Sequence, residues 1–280
     1  MILIDFSGIA IGNIVTQKLG PDENLIRHMI LNSIRMYRAK YHDKYGEIVI
    51  CVDGFKNWRR DVFPQYKYKR KEARKESKID WNEMFRIINM VLDEIKENFP
   101  YKVVEVAEVE ADDIIAALCE NTQQFGKNEP VLIVSKDKDF IQLQKFSNVD
   151  QYSPQTKKLV KEPNPRKAKM ELILKGDQGD GVPNVLSPDN TFTDSIRQKP
   201  LRQNIIDQLI DDQHSMGEEV YRNFLRNKKL IDLEETPVHL KEKIIYNYNS
   251  QDKWENKKKV FGYLVEKRCR RLLEDVKDFI

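Results

Sequence analysis

Through about residue 150, short apolar runs alternate with longer segments whose apolar residues recur at helical spacing. The pattern predicts strands over 2–6, 48–52, 101–106 and 131–135. Helices are expected over 22–41, where Leu25, Met29, Ile30, Ile34 and Tyr37 keep close to a 3.6-residue period, and over 80–97 and 111–125. Strands separated by crossover helices imply right-handed units and a mostly parallel sheet. Weaker extended runs at 148–152 and 158–161 extend its edge. Beyond about residue 163 the pattern is almost wholly helical, with helices expected over 166–175, 194–212, 217–228, 239–248 and 255–276. The expected class is α/β, a mostly parallel central sheet flanked by helices, with a helical C-terminal part. The turn-rich loop Gly179 to Asn190 marks the junction and divides the chain into 1–180 and 181–280.

Acidic residues recur where those apolar runs end. Asp5 follows the first strand and Asp53 the second; Glu110, Asp112 and Asp113 follow the third. Asp137 and Asp139 follow the fourth, and Asp177 and Asp180 sit in Gly176-Asp-Gln-Gly-Asp-Gly. Each group alone reads as turn or helix-start chemistry, since Asp caps helices and begins turns. Together they mark one topological position, because the carboxyl ends of strands in an open parallel sheet share one edge, where ligands bind. Carboxylates crowded on that edge repel one another unless cations hold them together. A site of carboxylates alone selects Mg²⁺ or Mn²⁺ rather than zinc. The four histidines, His28, His42, His214 and His239, lie outside the acidic groups, and no phosphate-loop or dinucleotide glycine pattern is present.

The chain has 280 residues, 40% of them hydrophobic, enough for an ordinary core. Its three cysteines, Cys51, Cys119 and Cys269, lack metal-ligand spacing, and Cys51 and Cys119 read as small core residues. The N-terminal apolar run is broken at Asp5, before a signal sequence forms, and nothing approaches the ~18 to 20 apolar residues that span a membrane. A soluble intracellular protein is expected.

Net charge is only +3, so the distribution of charge matters more than its sum. Between Asp53 and Asp80 lies a segment dense in Lys and Arg, with aromatics interleaved. Charge runs are commonly solvated faces, but this one opens directly after a candidate metal ligand. Cations neutralise phosphates and aromatics stack on splayed bases. Arg59, Arg60, Lys67, Lys69 and Arg70 are therefore expected to contact nucleic acid.

At this point the chain resembles the flap-endonuclease and 5′-exonuclease superfamily. The resemblance rests on Leu3-Ile-Asp-Phe-Ser, Arg27-His-Met-Ile-Leu-Asn-Ser-Ile, Trp58-Arg-Arg-Asp, Glu110-Ala-Asp-Asp, Ser135-Lys-Asp-Lys-Asp-Phe-Ile-Gln-Leu and Leu174-Lys-Gly-Asp-Gln-Gly-Asp, in that order. It implies a PIN-like 5′-nuclease core. Asp53, Glu110, Asp112 and Asp137 would form the tighter of two Mg²⁺ sites, with Mn²⁺ as a substitute. Asp5, Asp113, Asp139, Asp177 and Asp180 would supply or support the second. The basic segment, about 55–80, would be the arch through which a free 5′ end passes. Tyr66-Lys-x-x-Arg is its signature, with Lys67 and Arg70 steering the scissile phosphate.

The activity implied is 5′ to 3′ exonuclease and flap-endonuclease cleavage that removes RNA primers, an RNase H activity, and adjacent DNA during lagging-strand replication. The substrates would be branched or 5′-flap DNA and RNA–DNA hybrid. A single-stranded-DNA-binding protein and a sliding clamp would be partners of a monomer in the cytoplasm, the host's if the source is viral. Family members usually follow the last acidic motif with a Gly-Ile-Gly-x-Lys-Thr-Ala hairpin that grips duplex through potassium; here the chain reads Gly181-Val-Pro-Asn-Val-Leu-Ser-Pro-Asp, without those glycines. Two rival readings are a PIN-type ribonuclease acting on single-stranded RNA and an inert branched-DNA-binding module. The former usually lacks the basic insertion; the latter would be supported by loss of the acidic set, which is intact here.

Overall fold

The computed structural model describes residues 1–17 and 20–280. Its centre is a six-stranded sheet of β1 (Ile2–Asp5), β2 (Ile48–Val52), β3 (Lys102–Glu105), β4 (Val131–Val134), β5 (Val149–Ser153) and β6 (Lys158–Val160), in the order β3-β2-β1-β4-β5-β6. All neighbours are parallel except β5 and β6. Strand order reverses beside β1, which pairs with β2 on one side and β4 on the other. The carboxyl edge at that reversal is where an open parallel sheet offers a crevice.

The central strands are apolar throughout because both faces are covered. Ile2, Ile4, Ile48, Ile50, Leu132 and Val134 face one core cluster, while Leu3, Val49, Cys51, Val131 and Ile133 face the other. The first face is covered by α1 (Phe6–Gln17), α2 (Glu23–Tyr45) and α5 (Trp81–Asn98). Asp22 and Asp80 cap α2 and α5 by accepting backbone N–H groups of Leu25 and Glu83. The second face is covered by α6 (Ala111–Gln123) and α10 (Val238–Asn249).

Between β2 and α5 the basic segment forms two short helices, α3 (Arg59–Val62) and α4 (Tyr68–Glu76). A third cluster joins Phe63 and Tyr66 at their junction to Ile173 and Leu174 of α7 (Pro165–Lys175), Ile206 of α8 (Gln203–Asp211) and Phe224 of α9 (Glu218–Ile231). The last helices, α11 (Val260–Glu266) and α12 (Arg270–Leu273), pack Val260, Leu264 and Leu272 into the first core cluster.

The structure departs from the sequence pattern in three places. The first strand runs straight into α1 at Phe6. The helix expected over 194–212 begins only at Gln203, because the preceding stretch contains Pro200 and is pinned through the Asn184 side chain, which donates to the Lys199 carbonyl at 2.8 Å. The helix expected over 255–276 breaks where Arg268 takes a left-handed backbone, φ +54°. Among the described residues no helix is long and apolar enough to cross a membrane.

Candidate metal centre and nucleic-acid interface

The site begins where β1 ends. Because α1 starts at the next residue, its first turn folds back on Asp5, and the Gly8 N–H donates to Asp5 Oδ1 at 2.9 Å. A Cβ on Gly8 would lie 2.4 Å from Asp5 Oδ2, so a side chain there would push the Asp5 carboxyl out of this position. The Ser135 hydroxyl donates to the other oxygen at 3.0 Å. Burial, with help from Asp53 and Asp137 and against these two hydrogen bonds, pushes the Asp5 carboxyl up to about 6. Asp53, exposed at the end of β2, accepts from the Ser7 hydroxyl and from the Ala111 N–H, both at 2.9 Å, joining β2 to the start of α6.

Glu110-Ala-Asp-Asp opens α6, with Glu110 and Asp113 in a reciprocal capping box. Successive helical residues point about 100° apart, so Asp112 and Asp113 cannot both face the edge. Asp112 takes the edge; burial first, then Asp137, Glu110 and Asp5 against the opposing Lys67, raise its carboxyl well above the usual range. Asp113 turns inward. The Arg59 guanidinium donates to it through Nη1 and Nη2 at 2.8 Å each, and the Thr236 hydroxyl at 2.6 Å. Burial raises Asp113, but Arg59 and Thr236 hold it below its ordinary value.

Two sequence expectations change here. Asp113 is fully buried with both oxygens occupied, so it supports the helix start instead of holding a metal. Arg59 is 1% exposed and so contacts no nucleic acid.

The remaining acids stand across the crevice. Asp137 caps the 3-10 turn that follows β4, accepting the Asp139 N–H at 3.0 Å. Asp139 has a buried Oδ1 with no partner, and burial with the neighbouring Asp137 and Asp177 pushes it up to about 8. Lys138 lies 2.8 Å from Asp177; burial raises that carboxyl, but Lys138 leads the contacts that bring it below its ordinary value.

The basic segment reaches into this edge. Lys67 pairs with Glu110 and lies 3.5 Å from Asp180, and Arg70 pairs with Asp180. The Tyr66 hydroxyl is 3.0 Å from both Glu110 Oε2 and Asp180 Oδ2. Burial raises Glu110, but Lys67 and Arg59 outweigh it and hold the carboxyl low. Lys67 has a left-handed backbone, φ +58°, fixed by its N–H donating to the Asp180 carbonyl at 2.8 Å. Of the other expected nucleic-acid contacts, Arg60 is exposed, while Lys69 is half-buried with its ammonium 5.1 Å from the Phe192 ring centroid.

The carboxylates line one edge without converging: among the described residues no three His, Cys, Asp or Glu side chains gather closely enough to hold an ion. Like charges separate, and Lys67, Arg70 and Lys138 act as local counter-ions. The donor set nevertheless fits a hard divalent cation. It is all carboxylate, and Asp139 Oδ1 is a buried acceptor that nothing in the protein satisfies. Residues missed in the sequence are Ser7, Ser135 and Lys138, which hold Asp53, Asp5 and Asp177. Their only signal is position, each lying within two residues of a strand-end acid.

Comparison with known proteins agrees with this architecture. Residues 9–171 match the family model for the 5′-3′ exonuclease N-terminal resolvase-like domain, and residues 164–279 that for the T4 RNase H C-terminal domain. Ribonuclease H of Enterobacteria phage T4 is 35% identical over 99% of this chain and 95% of its own length. Among solved structures, T5 5′-exonuclease with divalent metal ions (zinc) bound superposes with a TM-score of 0.64 at 16% identity, covering 89% of this chain and 98% of that one. The bacteriophage T5 D15 flap endonuclease, in a pseudo-enzyme-product complex with DNA and metal ions, gives 0.61 at 16% identity over 95% and 98%. These latter two share the fold. With the acidic edge, the basic segment above it and a full-length relative in hand, the chain belongs to the 5′-3′ exonuclease family, as a 5′ nuclease of the T4 ribonuclease H type.

Proposed function

We propose that this nuclease is Mg²⁺-dependent, with Mn²⁺ able to substitute, and that it removes RNA primers and adjacent DNA from the 5′ side and cuts 5′ flaps. The observation that carries the reading is the anchoring of Lys67 and Arg70, from the basic segment, on Glu110 and Asp180 of the acidic edge. That arrangement holds phosphate-binding cations directly over carboxylates suited to a divalent ion. Asp53, Glu110, Asp112 and Asp137 would hold one ion, and Asp5, Asp139, Asp177 and Asp180 would hold or support a second. When bound, such ions polarise a phosphoryl group and lower the pKa of water.

The chain's own residues supply the rest. Lys67 and Arg70 neutralise charge on the scissile phosphate once it displaces their carboxylate partners. Tyr66 orients Glu110 and Asp180 through its hydroxyl. Ser135 and the Gly8 N–H fix the rotamer of Asp5, and Ser7 that of Asp53. Contacts of this kind read backbone and a 5′ end, carrying no sequence information. Residues 1–180 are taken as the nuclease core and 181–280 as the helical DNA-binding region, a reading supported by the two family models, which meet at 164–171. The same reading brings in a single-stranded-DNA-binding protein and a sliding clamp as partners of a monomer in the cytoplasm.

The test is product mapping on a 5′-labelled RNA–DNA hybrid and a 5′-flap duplex in Mg²⁺. Short products released from the 5′ end, and cleavage at the flap junction, are expected. Internal cuts made equally well when the 5′ end is blocked by a bulky adduct would contradict it.

A further inference from the structure

The basic run Lys267-Arg-Cys-Arg-Arg plays no part in the chemistry above. It does not continue a helix. Helix α11 ends in a Schellman turn, with the Arg268 N–H donating to the Val265 carbonyl at 3.0 Å and the Cys269 N–H to the Leu264 carbonyl at 2.8 Å. Arg268 occupies the left-handed position of that turn, φ +54°, where glycine is usual. The turn swings Arg268, Arg270 and Arg271 to the surface, all exposed.

They line a cleft of about 600 Å³ against the first turns of α2, together with Arg27, His28 and Lys267. Two acids also line it. Glu23 is held by Arg86 at 2.5 Å and Glu266 by Lys267 at 3.3 Å. Arg27 is paired with Glu94 at 2.7 Å. Among the described residues, Arg268, Arg270 and Arg271 have no carboxylate partner within salt-bridge reach. Burial, then the Arg271 and Arg35 guanidiniums, hold the His28 imidazole below its usual value, as a positive local field does.

The cleft lies between the start of α2 and the turn after α11, with Arg27 and Lys267 both paired to Glu94 of α5. The C-terminal end of α2 lies at Tyr45, capped by Gly46 just before β2 begins, at the amino edge of the sheet. The helix is 23 residues long, about 34 Å, while β2 is five residues, about 17 Å. Running back from Tyr45, α2 crosses the sheet, with Tyr37 and Tyr41 beside Tyr152 of β5 and with Glu23 and Arg27 paired to Arg86 and Glu94 of α5. A chain of contacts also leads there from the basic segment. The Arg74 guanidinium of α4 sits 4.9 Å from the Phe85 ring centroid, and the next residue, Arg86, holds Glu23 at the cleft.

We infer that this cleft is a second phosphate-binding site, which takes backbone phosphates of the substrate strand beyond the acidic edge and the basic segment. It rests on the reading that the substrate is nucleic acid. Planar guanidiniums with fork-like donors suit phosphate, and three left unpaired within four residues make a local anion trap. Arginine at the left-handed position of the turn fits this role, since glycine would serve the turn itself better.

Binding is measured by fluorescence anisotropy in EDTA, where no cleavage occurs, on labelled single strand, duplex and 5′-flap duplex across a salt series. The triple substitution Arg268→Ala, Arg270→Ala, Arg271→Ala is expected to weaken binding at least about tenfold and to flatten the slope of log affinity against log salt by two to three, about one per lost phosphate contact. The triple Lys variant keeps the charge and should keep the slope. Arg268→Gly preserves the turn, so its expected slope loss of about one cannot come from misfolding. Loss confined to the single-strand arm or to the duplex arm identifies which strand lies in the cleft, and either supports the inference. Wild-type affinity and slope for the triple Ala variant on all three DNAs overturns it and leaves the cleft to an acidic protein surface. Cleavage by the wild type in Mg²⁺ is scored separately: a protein that binds through these arginines but never cleaves keeps the cleft and refutes the nuclease reading.

Discussion

Arg59 and Asp113 meet in a two-pronged ion pair, Nη1 to Oδ2 and Nη2 to Oδ1 at 2.8 Å each, with side chains 2% and 0% exposed. The pair lies directly behind the acidic edge. It joins α3 to the start of α6, and Arg59 Nε also donates to the Leu230 carbonyl of α9 at 2.8 Å. One side chain thus fixes the base of the basic segment, the helix that carries Asp112, and the helical annex. Removing either partner strands the other as a buried charge, which costs far more than the pair contributes. Arg59→Ala is expected to lower unfolding stability by about 3–5 kcal/mol, read from urea denaturation. A loss below about 1 kcal/mol would show that the pair does not organise this junction.

Much of this architecture was legible in the sequence, and the reasons are specific. The acids after β1, β2 and β4 were legible because the apolar runs before them are unbroken, which marks strands buried on both faces. The direction of Asp113 was also legible in principle: adjacent helical positions point about 100° apart, so only one of Asp112 and Asp113 can face the edge. Arg59 was not legible. Within its run it resembles every other cation, and its partner lies 54 residues away. Helix α1 escaped notice because Ser7, Gly8 and Gly12 give Phe6–Gln17 the look of a turn, whereas tertiary packing of Phe6, Ile9, Ala10 and Ile14 makes it helical. The break at Arg268 was hidden because no glycine or proline announces it.

Asp139 shows the cost of holding the acidic edge together without a cation. Its buried Oδ1 has no partner, and Asp137 and Asp177 stand near it. In metal-free solution Asp139→Asn should raise unfolding stability by on the order of 1 kcal/mol, because it removes a buried carboxyl that burial and its acidic neighbours force to take up a proton on folding. Magnesium at a hundred times its dissociation constant should stabilise the wild type by about 2.7 kcal/mol. The variant should gain clearly less at the same concentration. Thermal melts with and without Mg²⁺ check both; an equal metal-induced shift in the two proteins would remove Asp139 from the site.

Away from the edge, Glu94 ties α5 to α2 and α11. Burial alone would raise its carboxyl, but the Arg27 guanidinium at 2.7 Å and the Tyr263 hydroxyl at 2.7 Å reverse this and hold it below the usual carboxylate range. A carboxyl depressed in the folded state stabilises above its unfolded value, and that contribution is lost as pH falls through the folded one. Stability should therefore decline as pH falls below about 4.5, and less steeply in Glu94→Gln, whose stability is already lower at pH 7. Denaturation midpoints from pH 7 to pH 3 test this; parallel curves for the two proteins would contradict it.

The most direct measurement of the central claim pairs binding with cleavage in one variant. Asp112 is the acid of α6 that faces the edge, where burial and the carboxylates of Asp137, Glu110 and Asp5 raise it well above its usual range. On a 5′-flap duplex in Mg²⁺, Asp112→Asn should bind within about threefold of wild type, since the basic contacts that carry affinity are untouched. Its single-turnover cleavage should fall by at least about 10²-fold, and EDTA should abolish wild-type cleavage. Wild-type cleavage that persists in EDTA, or Asp112→Asn cutting at the wild-type rate, would contradict a metal-dependent nuclease built on this edge.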